Sequence, residues 1–169
     1  MIKVTTKNVE YNVNVLKRLT TYIGIADKPL RECAGVWRKG AAQQFASEGI
    51  YGTGSRWTAL KPGTILGRMK QWGAGPILHR SGRLKRSWSS KSSGDYAEHV
   101  THTSVQLGSI QTTKKKGHYM GAIHHFGAPK AGIPARPIMG YDGNIPASDR
   151  AQMEKILEKF IDNFIKIYS

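Results

Sequence analysis

Residues Asp27 to Gly49 have the sequence DKPLRECAGVWRKGAAQQFASEG, which predicts the central helix of the fold. Asp27 is the expected N-cap, and Pro29 falls in the first turn, where a missing N–H costs little. Apolar side chains then recur at helical spacing until Gly49 ends the pattern. This stripe contains Leu30, Cys33 or Ala34, Trp37, Ala41 and Phe45. We expect the helix to bury the stripe, with its aromatic residues in the core and not on a ligand platform.

A second long helix is predicted at the C-terminus, with Ser148 or Asp149 as its N-cap. Its apolar residues form a broad face, which contains Met153, Ile156 or Leu157, Phe160, Phe164, and Ile167 or Tyr168. Because so apolar a face needs to be covered, we expect it to pack against the domain or against another subunit.

Shorter elements are predicted between and before these helices. They are a strand at Met1–Thr5, a helix from Asn8 that ends at Gly24, short helices at Thr64–Gln71 (capped by Thr64), Gly82–Trp88 and Tyr119–Phe126, and a hairpin from Tyr96 to Leu107. Gly and Pro dominate the long loops, and APKAGIPARPIMG (residues 128–140) is expected to lack regular structure. The predicted fold is α+β: a small antiparallel sheet packed with several helices, long Gly/Pro-rich loops and a C-terminal amphipathic helix. We expect one domain over residues 1–169.

Composition limits the class of protein. No apolar run approaches the roughly 20 residues that span a bilayer, and the N-terminus lacks the apolar stretch of a secretory signal. The single cysteine, Cys33, excludes an internal disulfide and lies on the apolar stripe, so a core role is expected. These features indicate a protein made and used in the cytosol.

Charge is strongly asymmetric, with 26 Lys and Arg against 11 Asp and Glu, and a net charge of +15. No acidic residue occurs from Gly49 to Gly94 or from His99 to Tyr141, whereas the C-terminal helix carries several acids. This pattern favours an acidic partner, either nucleic acid or an acidic protein surface, although a basic face without a specific polyanion fits it too. The candidate contacts are Arg80, Arg83, Lys85, Arg86, Lys114, Lys115 and Lys116.

Catalytic patterns are weak. Metal-dependent nucleases need grouped carboxylates, and the basic middle of the chain has none. His124 and His125 are adjacent, so on a helix they point about 100° apart and lack the i, i+4 spacing of a chelating pair. The segment GTGSRW lacks the spacing of a phosphate-binding loop. We therefore predict no enzyme activity, no metal and no cofactor.

Five segments, in order, resemble the phage virion morphogenesis or tail-completion family, which includes Mu-like and P2-like tail proteins. The Asp27–Gly49 segment resembles the family's Pro-Leu helix that ends in Phe. Residues 57–64 resemble a W-x-x-L…T block, and ILHRSGRLKRS (77–87) resembles I-L-x-x-[ST]-G-x-L-x-x-S. YMGAIHHFG (119–127) resembles Y-A-x-I-H-x-F-G, and IPARPIMG (133–140) resembles I-P-A-R-P-[FW]-[LM]-G, with Ile138 in place of the usual aromatic residue.

The resemblance implies an α+β structural protein without catalysis or cofactor. It implies a ring, expected to be a hexamer, at the head-proximal end of the tail. The implied partners are further copies of itself, the tail tube protein and neck or connector proteins, with weak non-specific contact with packaged DNA and no membrane. The implied location is the tail–head junction of the virion, after assembly in the host bacterial cytoplasm.

Site residues follow from the last two segments and the C-terminal helix. The prolines of IPARP fix an extended loop, from which Arg136 can make bidentate bonds to a carboxylate or to carbonyls. We interpret Arg136 as structural or intersubunit, with contact to DNA or the tail tube as the alternative, and His124 as a hydrogen-bonding group that orients the loop. The candidate subunit or partner contacts are Arg136, Pro134, Pro137, His124, Phe126 and Phe164.

Two rival functions remain open from the sequence. One is a basic nucleic-acid-binding module, because Trp57, Trp72 and Trp88 lie among arginines and lysines and aromatic rings stack on bases. The other is a nuclease or metal enzyme, which only the histidines support.

Overall fold

A computed structural model describes residues 17–113, 117–138 and 145–168. Within these ranges the chain forms seven α-helices, one 3-10 helix and a two-stranded antiparallel sheet, which confirms the predicted α+β class. The strand predicted at Met1–Thr5 and the start of the helix predicted from Asn8 lie outside the described residues. The single domain over residues 1–169 stays a prediction.

The elements follow one another in the predicted order. Residues 17–23 are helical (α1), and the others are α2 (Asp27–Ala46), α3 (Ile50–Thr53), α4 (Pro62–Trp72), α5 (Arg83–Ser89), β1 (Tyr96–Val100), β2 (Val105–Ser109), α6 (Met120–Phe126), the 3-10 turn Pro129–Ala131 and α7 (Ala147–Tyr168). The hairpin and helices α4, α5 and α6 agree with the sequence patterns, whereas α3 lies in a stretch for which the sequence predicted only loop.

Helix α2 is the centre of the fold, and it contacts α3, α5, α7 and both strands. Its predicted stripe is buried at Cys33 and Phe45, while Trp37 lies at the edge of the core, with its ring centre 5.7 Å from that of Trp88. The buried core cluster contains Ala41, Phe45, Trp57, Ile77, Leu84 and Ile138. Since these residues come from four separate parts of the chain, the core holds the Gly/Pro-rich loops to the helix.

The predicted N-caps of α2 and α4 are wrong. Helix α2 begins after Ala26, whose carbonyl oxygen accepts the N–H of Leu30 at 3.0 Å, so Asp27 is already in the first turn. Helix α4 has Lys61 as N-cap, because Pro62 presets the first helical φ angle. Thr64 consequently lies inside the helix.

The predicted start of α7 is also corrected. The carbonyl oxygen of Pro146 accepts the N–H groups of Asp149 and Arg150, so the helix begins at Ala147, before both residues that were expected to cap it. Asp149 is buried and accepts a hydrogen bond from the Tyr51 hydroxyl at 2.6 Å. In the described part of this segment, residues 128–138, the chain is irregular as predicted, apart from the 3-10 turn, which begins at Pro129.

The hairpin pairs Tyr96 with Ser109 and Val100 with Val105, across a loop in which Thr101 N–H donates to Ser104 O at 2.8 Å. Glu98 ties it to the rest of the fold, since its carboxylate binds Arg31, Arg38 and Lys91 at 3.0–3.2 Å.

Residues 61–76, which we call the α4 arm, leave the body of the protein between Leu60 and Ile77. Both of these residues pack in or against the core, but no residue of α4 is buried. Open clefts of about 720 and 260 Å³ flank the helix. The arm is therefore anchored at its two ends and packs only loosely along its length.

Candidate functional site: assembly surfaces and their scaffold

The proline-rich loop is part of the interior. Arg136 is 4% exposed; its Nε donates to Thr58 O at 3.0 Å and its Nη2 to Ala59 O at 3.4 Å. Its backbone N–H donates to His124 O at 2.7 Å. Burial lowers the pKa of Arg136 from its ordinary value. Among the described residues, Arg136 thus joins the loop to the chain after Trp57 and to α6.

Gln44 anchors the same loop from α2. Its Nε2 donates to Pro137 O at 2.9 Å, its Oε1 accepts the N–H of Gly52 at 2.6 Å, and its side chain is fully buried. Trp57 Nε1 donates to the same Pro137 oxygen at 2.9 Å. The sequence interpretation missed Gln44; the available signal was a polar residue beside Phe45 on the buried face of the helix.

The two adjacent histidines serve the loop in different ways. His125 Nδ1 accepts the N–H of Ile138 at 3.3 Å, and burial lowers the pKa of His125. Burial and then the charge of Arg136 lower the pKa of His124. The buried Nδ1 of His124 has no hydrogen-bond partner in the part of the chain that the structure describes. The bond between His124 and the loop is a backbone one, in which the carbonyl oxygen of His124 accepts the N–H of Arg136. A role of the His124 side chain in orienting the loop stays a prediction.

Gly127 lets the loop approach α6. Its φ of +77° is costly for other residues, and an added Cβ would lie 2.7 Å from Ala135 N. Ile138 is completely buried where the family pattern has an aromatic residue. The proline-rich loop therefore packs against α6 and covers the core.

The predicted subunit contacts divide into two groups. The first group is buried or half-buried and contains Arg136, Pro134, Pro137 and His124. The hydrogen bonds described above for this group join parts of the same chain. Phe126 is 60% exposed, whereas Phe164 is buried, with its ring centre 5.0 Å from that of Tyr22. Contact with a partner stays a prediction for all of them, and the geometry leaves Phe126 as the accessible one.

Phe126 lies at an open apolar groove of about 460 Å³. Other members of its lining come from α2, α5, β2, the residue after β2 and the residue before α6: Trp37, Trp88, Leu107, Ile110 and Tyr119. Gly121 borders Trp88 so closely that an added Cβ would lie 2.8 Å from Trp88 Cζ2. The groove is a surface of the right chemistry for an apolar partner segment.

The broad apolar face of α7 is only half covered. Phe164 and Phe160 pack against Tyr22. Leu157, Ile161 and Ile165, which we call the α7 stripe, are 38% to 52% exposed. A helix that packs with one part of its apolar face and exposes the rest is typical of a subunit interface.

The basic candidates that the structure describes form no single free patch. Arg83 is exposed but binds Asp95, with Nη2 2.7 Å from Oδ1, and this bond raises the pKa of Arg83 and lowers that of Asp95. The guanidinium of Arg80 lies 5.2 Å from the centre of the Trp72 ring. Lys85 is half-buried, and Arg86 donates to Ser81 O at 3.4 Å. Lys114, Lys115 and Lys116 lie outside the described residues.

The tryptophans do not line up as a stacking platform. Trp57 is buried, Trp88 packs with Trp37, and Trp72 on the α4 arm is exposed. Among the described residues no three His, Cys, Asp or Glu side chains group as metal ligands, and no helix could cross a membrane.

Two features of the described residues indicate the class of protein. Buried polar groups hold the loops in place, and several apolar surfaces remain exposed, as is common in proteins that bind other proteins. The chain belongs to the phage virion morphogenesis family, whose profile matches residues 6–162. It is accordingly a structural protein of phage morphogenesis. No curated protein and no solved structure shows a significant match to the chain.

Proposed function

We propose that this protein is a non-enzymatic component of the virion that forms a ring at the head-proximal end of the tail and joins tail to head. The α7 stripe is the observation that carries the proposal. Leu157, Ile161 and Ile165 are exposed on a 22-residue helix of a phage morphogenesis protein, and burying them against another subunit removes apolar surface from water.

A ring of identical subunits closes through heterologous contacts, in which one surface of each copy meets a different surface of the next. The chain offers several exposed apolar surfaces: the α4 arm, the α7 stripe and the groove at Phe126. A ring uses two of them between copies. The remaining one is available to the tail tube protein on one side or to a neck protein on the other.

Deletion of the gene from the parent phage or prophage tests this role, with negative-stain electron microscopy of the lysate as the readout. We expect separate filled heads and unjoined tails, and a plasmid copy of the wild-type gene should restore joined particles. Overlong tails would identify a tail terminator, and tails of normal length a completion factor. Joined, infectious particles from the deletion strain would contradict the proposal.

A basic nucleic-acid-binding module is the second candidate, favoured by the exposed Trp72 ring beside Arg80. One stacking residue beside one cation supports weak, sequence-independent contact. We therefore propose that the ring makes weak contact with DNA.

A further inference from the structure

The α4 arm carries more apolar surface than its own chain covers. Ile65, Leu66, Met69 and Trp72 are 43% to 62% exposed, and they recur at helical spacing along α4. The side-chain bond of Arg68 to Pro76 O, at 2.9 Å, stays within the arm. A helix of this composition, anchored only by its ends, needs a second surface to bury its apolar side chains.

The arm is basic as well as apolar. Lys61 lies four residues before Ile65 and Lys70 lies four residues after Leu66, so the two lysines border opposite sides of the apolar face. No acidic residue lies in the arm, and neither lysine has an ion pair among the described residues. The surface that covers the arm should therefore be apolar with acidic borders.

The α7 stripe has that composition. Glu154, Glu158 and Asp162 each lie three residues before a member of the stripe, so they border it along one side. All three are exposed and form no ion pair within the described ranges. At 1.5 Å per residue, the arm's apolar face from Ile65 to Trp72 spans roughly 10 Å and the stripe roughly 12 Å, so their lengths match.

We propose that the α4 arm of one copy docks on the α7 stripe of a second copy, with Lys70, on one border of the arm, facing the acidic row of Glu154, Glu158 and Asp162. The inference rests on the proposed ring and names its contact. Because the two surfaces differ, the two ends of a row of bound copies present one free arm and one free stripe. The contact therefore propagates from copy to copy, and it forms a ring where its rotation closes.

Two loss-of-contact variants test the pairing. The arm variant is Leu66→Ser with Met69→Ser, and the stripe variant is Leu157→Ser with Ile161→Ser. We expect the wild-type chain to form oligomers in sedimentation velocity as its concentration rises, and each variant to remain a monomer. An equimolar mixture should form a one-to-one heterodimer and nothing larger, since it contains one intact arm–stripe pair.

Other pairings give other results. Self-association of the stripe variant alone would indicate arm–arm contact, and self-association of the arm variant alone would indicate stripe–stripe contact; either overturns the proposal. A wild-type chain that stays monomeric at its solubility limit also overturns the proposal. That outcome would not contradict the role at the tail–head junction, because the deletion phenotype tests that role separately. Ile50→Ser, which changes an exposed isoleucine of α3, is the matched control and should assemble as the wild type does.

Charge exchange tests the polar borders. Lys70→Glu should weaken association by at least about tenfold, as should Glu158→Lys with Asp162→Lys, because like charges then face each other. Combining the arm substitution with the two α7 substitutions in one chain should restore most of the affinity. Absence of this restoration, with unfolding midpoints equal to that of the wild type, would overturn the assigned orientation.

Discussion

At the scale of single residues, buried polar side chains hold the proline-rich loop in place. Gln44 spans from α2 to the N–H of Gly52 and the carbonyl oxygen of Pro137, while Arg136 spans from the loop to Thr58 and Ala59. A buried group whose partner is removed keeps its desolvation cost, so these bonds matter more for stability than exposed ones do.

Gln44→Met should destabilise the protein by about 1–3 kcal/mol, because the new side chain fits but leaves the N–H of Gly52 without its acceptor. Urea unfolding followed by circular dichroism measures the change. Gln43→Met, one position earlier and exposed, is the control and should stay within about 0.5 kcal/mol of the wild type. Equal effects of the two substitutions would contradict the role assigned to Gln44.

The histidines of α6 predict a pH dependence. Burial lowers the pKa of His124 below its ordinary 6.5, so between the folded and unfolded pKa values the unfolded chain binds more protons. Stability should accordingly be constant above about pH 7 and fall as the pH drops below about 6.5. Protonation of His125 Nδ1 also breaks the bond from Ile138, which adds to the loss.

His124→Gln should reduce this slope, and adding His125→Gln should reduce it further, in free energies of unfolding measured at intervals from neutral to mildly acidic pH. His102→Gln, in the exposed hairpin loop, should leave the slope as it is in the wild type. An unchanged slope in the double variant would show that the two histidines do not cause it. Glu98 and Asp95, whose pKa values are lowered, act only in a more acidic range.

At the scale of elements, the packing of α2 on α7 depends on a close approach at Gly40. A Cβ added there would overlap Asp149 Oδ2, which cannot move away freely because Asp149 is buried and bound to Tyr51. Gly35, one turn and a half earlier on the same helix, has open space around it, with Arg38 Nη2 3.6 Å from an added Cβ.

The same substitution at these two glycines should therefore have opposite signs. Gly40→Ala should destabilise the fold by about 1–3 kcal/mol through overpacking, whereas Gly35→Ala should stabilise it by about 0.5–1 kcal/mol, since alanine restricts the unfolded chain and favours the helix. Thermal unfolding of both variants measures this. Stabilisation by Gly40→Ala would mean that α2 and α7 pack less closely than described.

The elements were largely predictable from sequence, and their ends were not. Helical spacing identified α2 and α7, and alternation identified the hairpin, because a buried face imposes its period on the sequence. The predicted N-caps of α2 and α7 were wrong because the carbonyl oxygens of Ala26 and Pro146 accept the first helical N–H groups. The side chain of Asp149 binds Tyr51 instead of capping α7. The exposure of α4 was not foreseeable either, since its apolar period is that of a helix packed in a core.

At the scale of the whole molecule, the sequence motifs identified the family, whereas the partner contacts assigned to individual residues stay predictions. The order of the five segments was sufficient for the family. Whether Arg136 faces a partner or its own chain depends on the fold around the loop, which no local pattern contains. The arginines also differ in how much positive charge they offer to a partner, because Arg83 is bound to Asp95 whereas Arg80 lies against an aromatic ring.

DNA binding should therefore be weak, independent of sequence and lost as salt rises, in a fluorescence-anisotropy titration. Arg80→Ala should reduce the dependence of affinity on salt by about one released counterion, and Arg83→Ala by less, because the carboxylate of Asp95 already neutralises Arg83. Tight binding that survives moderate salt, or equal effects of the two substitutions, would contradict this account and favour the nucleic-acid-binding alternative.

The position of Trp72 gives the protein a built-in optical reporter. Of the four tryptophans, Trp57 is buried in the core and Trp37 and Trp88 pack on each other, whereas the indole of Trp72 is 49% exposed on the α4 arm. Red-shifted emission and quenching by iodide should therefore come mainly from the arm. A blue shift of this emission during association would therefore report when the arm becomes buried, without any added label, from the free chain to the finished particle.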